Sequence, residues 1–319
     1  MEPVYIKTYK SGELQKKIAR FKQILSNCTL CPRNCRVRRT ENKSGVCKTG
    51  RLAQVASFDL HFGEESPLVG HGGSGTIFFA HCNLGCVFCQ NYSISQTDTR
   101  FQEVYPNQLA FIMLELQKKG AENINFVTPS HVAAQIVEAL PEAIEQGLDL
   151  PLVYNTSSYD ALNTLKLLDG VIDIYLADTK FISPGHSRKY AHATDYPEVA
   201  MQAIQEMYAQ VGGIVLDEQG RVRKGLMIRH LLMPEDIAGT EEWLDFLHQQ
   251  GMQDVYLNIM DQYHPAGQAD EFPELMNRIS YTQWERVVNM ARKMGFKYID
   301  EGSSRIFKQS LRHFAAKLF

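Results

Sequence analysis

The sequence has no cysteine beyond position 89, no apolar run approaching a membrane span, and no strong excess of either charge. A bilayer crossing needs roughly 20 consecutive apolar residues. The opening MEPVYIKTYKSGELQKK also lacks the apolar core of a signal peptide, so a cytoplasmic protein with no membrane attachment is expected. A formal charge of -3 gives no overall attraction to a polyanion. Low hydrophobicity is absent too: 44% hydrophobic and 22% charged residues exclude a disordered chain. At 319 residues there is room for one large barrel-type domain or two ordinary ones.

Seven cysteines are present, an odd number, in a group of four (Cys28, Cys31, Cys35, Cys47) and a group of three (Cys82, Cys86, Cys89). Such tight clusters do not make a disulfide framework and point to metal ligation or redox chemistry. From Gly75 onward, short apolar runs alternate with helical stretches, the pattern of βα units on a parallel sheet. Strands are predicted at Thr76 to Phe79, Ile124 to Val127, Leu152 to Tyr154, Ile172 to Ala177, Leu226 to Leu231 and Val255 to Ile259. Helices are predicted at Asn107 to Lys119, His131 to Gln146, Tyr159 to Leu168, Pro197 to Val211, Thr240 to Gln250 and Tyr281 to Met294. Six repeats are too few to close an eight-fold barrel. The expected fold is therefore α/β, a partial (β/α)6 TIM-like barrel over residues 61–319, with a cysteine-rich metal-binding extension over residues 1–60. A further amphipathic helix is expected between Ser303 and Phe319.

Active sites of such folds lie at the C-terminal ends of the strands, and the loops expected there are polar: HCNLGCVFCQN, TPSH, NTSSYD, DTKF, MPED and MDQYHPAG. Cys82, Cys86 and Cys89 stand as C-x3-C-x2-C directly after the first expected strand. Three thiolates leave one iron of an iron-sulfur cluster with a free coordination position, where chemistry can occur. Zinc is the competing occupant, with His81 or an upstream cysteine as fourth ligand.

The stretch CNLGCVFCQN after a strand resembles the cluster loop of the radical S-adenosylmethionine superfamily, and the likeness extends from about Ser74 to Arg305. NINFVTPSH, LVYNTSSYD, IYLADTKF, LMIRHLLMPE and LNIMDQYHPAG follow in order, as in the pyruvate formate-lyase activating enzyme and its uncharacterised relatives. This resemblance implies a 4Fe-4S cluster on Cys82, Cys86 and Cys89, with S-adenosylmethionine chelating the open iron and Phe88 beside the adenine. It implies reductive cleavage to a 5′-deoxyadenosyl radical and hydrogen abstraction from a substrate such as a glycyl residue of a partner protein. An electron donor such as flavodoxin or ferredoxin is implied as well. Asp178 and Lys180 match the D-x-K segment after the fourth strand. Thr128, Pro129, Ser130 and His131 stand where activating enzymes carry the glycine-glycine-glutamate stretch that holds the cofactor's amino group.

Thr128, Asn155, Thr156, Asp178, Lys180 and Arg229 sit at or just past expected strand ends, where ribose hydroxyls and a carboxylate need donors and acceptors. An Asp178–Lys180 pair is equally a structural ion pair. His230, in an apolar strand, reads as a satisfied core residue. Cys28, Cys31, Cys35 and Cys47 form C-x2-C-P-x2-C-x11-C, a complete tetrahedral set for zinc or a second iron-sulfur cluster; spacing alone does not choose between them. The basic residues from Arg33 to Arg51 read as a solvated loop. The rival from another class is a zinc-binding adaptor, both cysteine groups being structural and the basic stretch contacting RNA or a protein.

Overall fold

A computed structural model describes residues 1–99 and 101–300 of the chain. The helix expected between Ser303 and Phe319 lies outside them. Helices α1 (Val4–Lys10) and α2 (Glu13–Ser26) precede the four-cysteine stretch; β1 (Ala53–His61) then leads through the one-turn α3 (Ser66–Val69) into β2 (Ser74–Phe79). After α4 (Tyr92–Ser95) and β3 (Gln102–Val104) come α5 (Pro106–Lys118), β4 (Ile124–Val127), α6 (Ala133–Glu145), β5 (Leu152–Thr156), α7 (Leu162–Leu168) and β6 (Ile174–Thr179). Next are α8 (Pro184–Ala191), α9 (Tyr196–Val211), β7 (Val215–Leu216), β8 (Val222–Leu231), α10 (Thr240–Gln249), β9 (Tyr256–Met260), α11 (Tyr281–Lys293) and β10 (Tyr298–Ile299).

The strands form one sheet in the order β10-β9-β8-β6-β5-β4-β2-β1-β3, with β7 paired to β8 off that path. From β2 to β10 the neighbours are parallel, whereas β1 runs antiparallel to both β2 and β3. This is the expected α/β architecture of six βα units in an open series. The six expected strands are all present, because parallel strands covered on both faces read as unbroken apolar runs. The alternation does not reveal α1, α2, β1 or β3. The boundary expected near residue 60 falls at the end of β1, which is laddered to the barrel's opening strand, and α2 lies against α6. Among the described residues, no helix is long and apolar enough to cross a membrane.

Side chains alternate between the two faces of each strand, and here the two faces build separate cores. Tyr154, Tyr175, Ala177, Ile228 and Leu257 face the helices and join the main core. Val153, Ile174, Leu176, Met227 and Tyr256 form a second cluster on the inner face, with Leu68 of α3 inserted among them. The segment from Glu64 to Val69 is thus a plug in the lower part of the open barrel, on the strand N-terminal side of the cavity. Two residues further along the same strands the inner face becomes polar: Val153 is followed by Asn155, Leu176 by Asp178, Met227 by Arg229 and Tyr256 by Asn258. Register puts Asp178 opposite Arg229, and Arg229 opposite Asn258.

Leu68 is fully buried. Truncation to Ala leaves a cavity in a cluster with no other residue from the plug, and should cost about 2–5 kcal/mol, read from the urea midpoint. A change below about 0.5 kcal/mol would show that the plug does not close the barrel.

Candidate active site

The loop from Ala80 to Asn91 leaves β2 at its C-terminal end and is tied down from several sides. His81 takes left-handed backbone (φ 68°), which a side-chain-bearing residue adopts only under constraint, and its N–H donates to the carbonyl of Ile94. The Asn83 amide donates to the carbonyl of Tyr159 at 2.7 Å, and that of Gln96 to the carbonyl of Cys86 at 2.7 Å. Val87 N–H donates to Tyr190 O, and Gln268 N–H donates to Val87 O. Gly267 lies so close to this loop that a Cβ there would sit 2.7 Å from the Val87 carbonyl oxygen. Backbone N–H of Leu84 points at Cys82 Sγ, 3.3 Å away, while Cys89 Sγ lies 3.3 Å from Ser95 Oγ.

Facing this loop is a cavity of about 250 Å³. Cys82, Cys86, Cys89 and Phe88 line one side, and Thr128, Asn155, Thr156, Asp178, Lys180 and Arg229 line the other. The three-cysteine group and every candidate cofactor residue taken from the sequence therefore meet in one space. Phe88 is held edge-on to Phe181 (5.7 Å between ring centroids) and packs against Tyr263 (6.2 Å). Thr128 is β-branched yet left-handed (φ 60°), and its N–H donates to Asn155 O, so strain sits at the cavity wall.

The floor of the cavity is a charged layer centred on Arg229. Its Nε donates to Asp178 Oδ1 at 2.7 Å, Nη2 to Asn155 Oδ1 at 2.7 Å, and Nη1 to Glu64 Oε2 at 3.2 Å. Lys180 Nζ lies 3.0 Å from Asp178 Oδ2. Glu65, beside Glu64 on the plug, accepts from Asn258 at 2.9 Å. Burial opposes ionisation of Asp178, but Arg229 and Lys180 outweigh it and hold the carboxyl below its ordinary value. Burial works against the Lys180 ammonium in the same way, and Asp178 and then Cys86 outweigh it. Glu65 is pushed up by burial. Lys180 has three N–H donors and gives one to Asp178, leaving the others for a ligand. Glu64, Glu65 and Asn258 are the members of this layer that sequence reasoning misses; the acidic pair after HFG is the hint for the first two.

Burial also pushes the Cys82 and Cys86 thiols up, with Lys180 pulling against it. Thiols in this setting stay protonated until a metal replaces the proton. Among the described residues, no three His, Cys, Asp or Glu side chains are already set in metal-ligand geometry. Both cysteine groups instead surround a cavity. Cys28, Cys31, Cys35 and Cys47 line a second, much smaller one, together with Arg39 and His131.

The basic stretch is not a solvated loop throughout. Arg33 donates from Nε to Asn83 O and from Nη2 to Leu84 O, both at 2.7 Å, and reaches the carbonyls of Ala191 and His192. Its guanidinium also lies 5.3 Å above the Tyr159 ring. Arg39 is 1% exposed, and Arg51 Nη2 donates to both carboxylate oxygens of Glu138, each contact 2.7 Å. Acceptors from distant parts of the chain take up several donors of these guanidinium groups, and nothing in the local sequence announces those acceptors. His230 is a satisfied core residue, placed between the hydroxyls of Thr179 (2.7 Å) and Thr240 (2.9 Å).

No protein-family model matches the chain. The uncharacterized protein MJ0674 of Methanocaldococcus jannaschii is 31% identical to it over 301 residues, covering 91% of this chain and 81% of that protein. Among solved structures, a radical SAM methyltransferase from Sphaerobacter thermophilus superposes with a TM-score of 0.48 at 14% identity, over 72% of this chain and 68% of its own. The FeFe-hydrogenase maturase HydG from Carboxydothermus hydrogenoformans gives 0.48 at 11% identity, over 93% and 68%. Streptococcus suis SuiB bound to its precursor peptide SuiA gives 0.45 at 11% identity over 70% of this chain, which spans about half of SuiB (47%).

Removing Asp178 leaves Lys180 and Arg229 as buried cations without their shared carboxylate. Asp178→Ala should cost about 3–5 kcal/mol, measured by chemical unfolding; a loss under about 1 kcal/mol would mean that water fills in for the carboxylate. Burial pulls the His230 imidazole from 6.5 down to about 4, against the pull of Asp236. The unfolded chain therefore takes up a proton that the folded chain resists. Stability contributed by neutral His230 is complete above about pH 6.5 and is lost as pH falls through about 4. Urea midpoints at pH 7 and pH 4.5 should differ less for His230→Gln than for the wild type, and an equal drop in both would place the acid sensitivity elsewhere.

Proposed function

The chain belongs to the family of the Methanocaldococcus jannaschii protein MJ0674, and we propose that it is a radical S-adenosylmethionine enzyme. The observation that carries this reading is the meeting of C-x3-C-x2-C with a charged layer across a single cavity at the strand C-terminal ends. Three thiolates suit a 4Fe-4S cluster with one open iron. Held by Cys82, Cys86 and Cys89, such a cluster with S-adenosylmethionine would supply one-electron reductive cleavage of the cofactor, releasing methionine, and hydrogen-atom abstraction from the substrate.

The chain's own part is placement and shielding. Cys82, Cys86 and Cys89 hold the iron, and the ties from Tyr159, Gln96, Tyr190 and Gln268 hold the loop. Lys180 offers its remaining N–H donors to the cofactor carboxylate, fixed in direction by Asp178, which Arg229 fixes in turn. Asn155 and Thr128 present polar groups along the same wall, and Phe88 gives the adenine a flat apolar neighbour. A purely structural zinc-binding adaptor has no use for a 250 Å³ cavity walled by a buried ion network. On motif likeness, the reading extends to a glycyl residue of a partner protein as hydrogen source and to flavodoxin or ferredoxin as electron donor. The four remaining cysteines hold a second metal.

Protein purified without oxygen should be brown, carry about four irons on the three-cysteine loop, and form 5′-deoxyadenosine from S-adenosylmethionine with dithionite. Joint replacement of Cys82, Cys86 and Cys89 by Ala should abolish that product, followed by chromatography. Undiminished product from the triple variant would end the proposal.

A further inference from the structure

We infer that the pocket of Cys28, Cys31, Cys35 and Cys47 is a site for one zinc ion, and that this site is a strut fixing the three-cysteine loop through Arg33 and His131. Size decides the occupant. The four-cysteine pocket has a volume of about 10 Å³, against about 250 Å³ at the three-cysteine loop. A space of that size takes about one water-sized occupant, so a single ion fits where an eight-atom iron-sulfur cube does not. Four cysteine thiolates are a ligand set of structural zinc. The fold also makes room for the sulfur: a Cβ at Gly45 would sit 2.6 Å from Cys35 Sγ.

Charge supports a filled tetrathiolate site, since zinc and a 4Fe-4S core of charge 2+ both give a dianion with four thiolates, and it is size that selects the single ion. Arg39 lines the pocket and is 1% exposed, yet among the described residues no carboxylate pairs with it. Its Nε and Nη1 donate to the carbonyls of Gly50 and His131 at 2.8 and 2.7 Å, while Nη2 is buried without a partner. A bare buried cation is expensive. Four thiolates around a divalent ion carry a net double negative charge, and that complex is the missing counter-ion. His131 lines the pocket too and is 1% exposed. Its Nε2–H faces Ala80 O at 2.9 Å, so Nδ1 is the unprotonated nitrogen, and it is likewise buried and unpaired.

Two short routes then join the pocket to the reactive loop. Arg33, between Cys31 and Cys35, donates to the carbonyls of Asn83 and Leu84. Arg39 holds the His131 carbonyl, and the His131 ring holds Ala80, two residues before Cys82. An ion that fixes the Cys31–Cys35 turn therefore fixes Arg33, and Arg33 fixes the loop; Arg33 is a positioning residue. This second half of the inference rests on the radical-enzyme reading, whereas the zinc assignment does not.

The full chain, purified anaerobically, should contain one zinc besides the loop iron, by elemental mass spectrometry. The Cys82, Cys86 and Cys89 triple Ala variant should keep that zinc while losing its iron, so failure of the radical reading and failure of the zinc site are separable. Cobalt exchanged into the site should show the thiolate charge-transfer bands of tetrahedral tetrathiolate coordination. About four further irons, or no metal together with four thiols that titrate in the native state, would overturn the assignment. Arg33→Ala should retain zinc but hold the loop cluster about tenfold or more weakly, with an altered electron paramagnetic resonance spectrum of the reduced cluster. Arg33→Lys, which keeps the charge but not the fork of donors, serves if the Ala variant does not fold and should show the same spectral change in smaller measure. An unchanged spectrum and iron content in the variant that folds would refute the strut.

Discussion

Arg229 gathers more of this molecule than any other side chain in the cavity. Its three nitrogens reach Asp178 on β6, Asn155 on β5 and Glu64 on the plug, so one planar group binds two neighbouring strands to a segment from far upstream. A guanidinium suits the task because its donors have fixed directions and its charge does not come off. Once it is in place, Asp178 must be ionised, and once Asp178 is ionised Lys180 keeps its proton in spite of burial. Lys180 in turn acts on the thiols of the loop above. The electrostatics of the site thus descend from one side chain and from the two-residue period that turns positions 178 and 229 inward.

Much of this is legible in the sequence, for reasons that can be named. Strands such as Ile174–Thr179 are apolar on both faces and are followed by short polar loops, so both the βα series and the place of the chemistry can be read from it. Cysteine spacing identifies the reactive loop. By contrast, β1 (AQVASFDLH) is partly exposed along its length and lacks an apolar run. The stripe of Leu14, Ile18, Phe21 and Leu25 on α2 has clear helical spacing, yet it stands beside a cysteine-rich stretch whose composition dominates the reading. Arg33 and Arg39 look like surface charge because their acceptors, from Gly50 to His192, are supplied by the tertiary fold. Glu64 is hidden for the same reason.

The two cysteine groups differ in what the surrounding chain asks of them. Around Cys82, Cys86 and Cys89 the space is wide and its opposite wall is charged and partly unspent. Around the other four the space is minimal, and Arg39 and His131, which line it, each carry a buried side-chain nitrogen without a hydrogen-bond partner. On the proposed reading, the first group serves a ligand that is renewed and the second a single resident ion. Their connection through Arg33 means that the N-terminal residues, although outside the βα series, belong to the working part of the fold.

The plug formed by Glu64 to Val69 also determines how the cavity can be reached. Leu68 fills the inner face just beneath the charged layer, and Glu64 and Glu65 are locked to Arg229 and Asn258 from that side. Among the described residues the plug thus fills the barrel from below, and the cavity lies at the strand C-terminal ends beside the cysteine loop. Cys82, Cys86 and Cys89 line that same cavity, so a molecule seated against them takes up room that a second one would need.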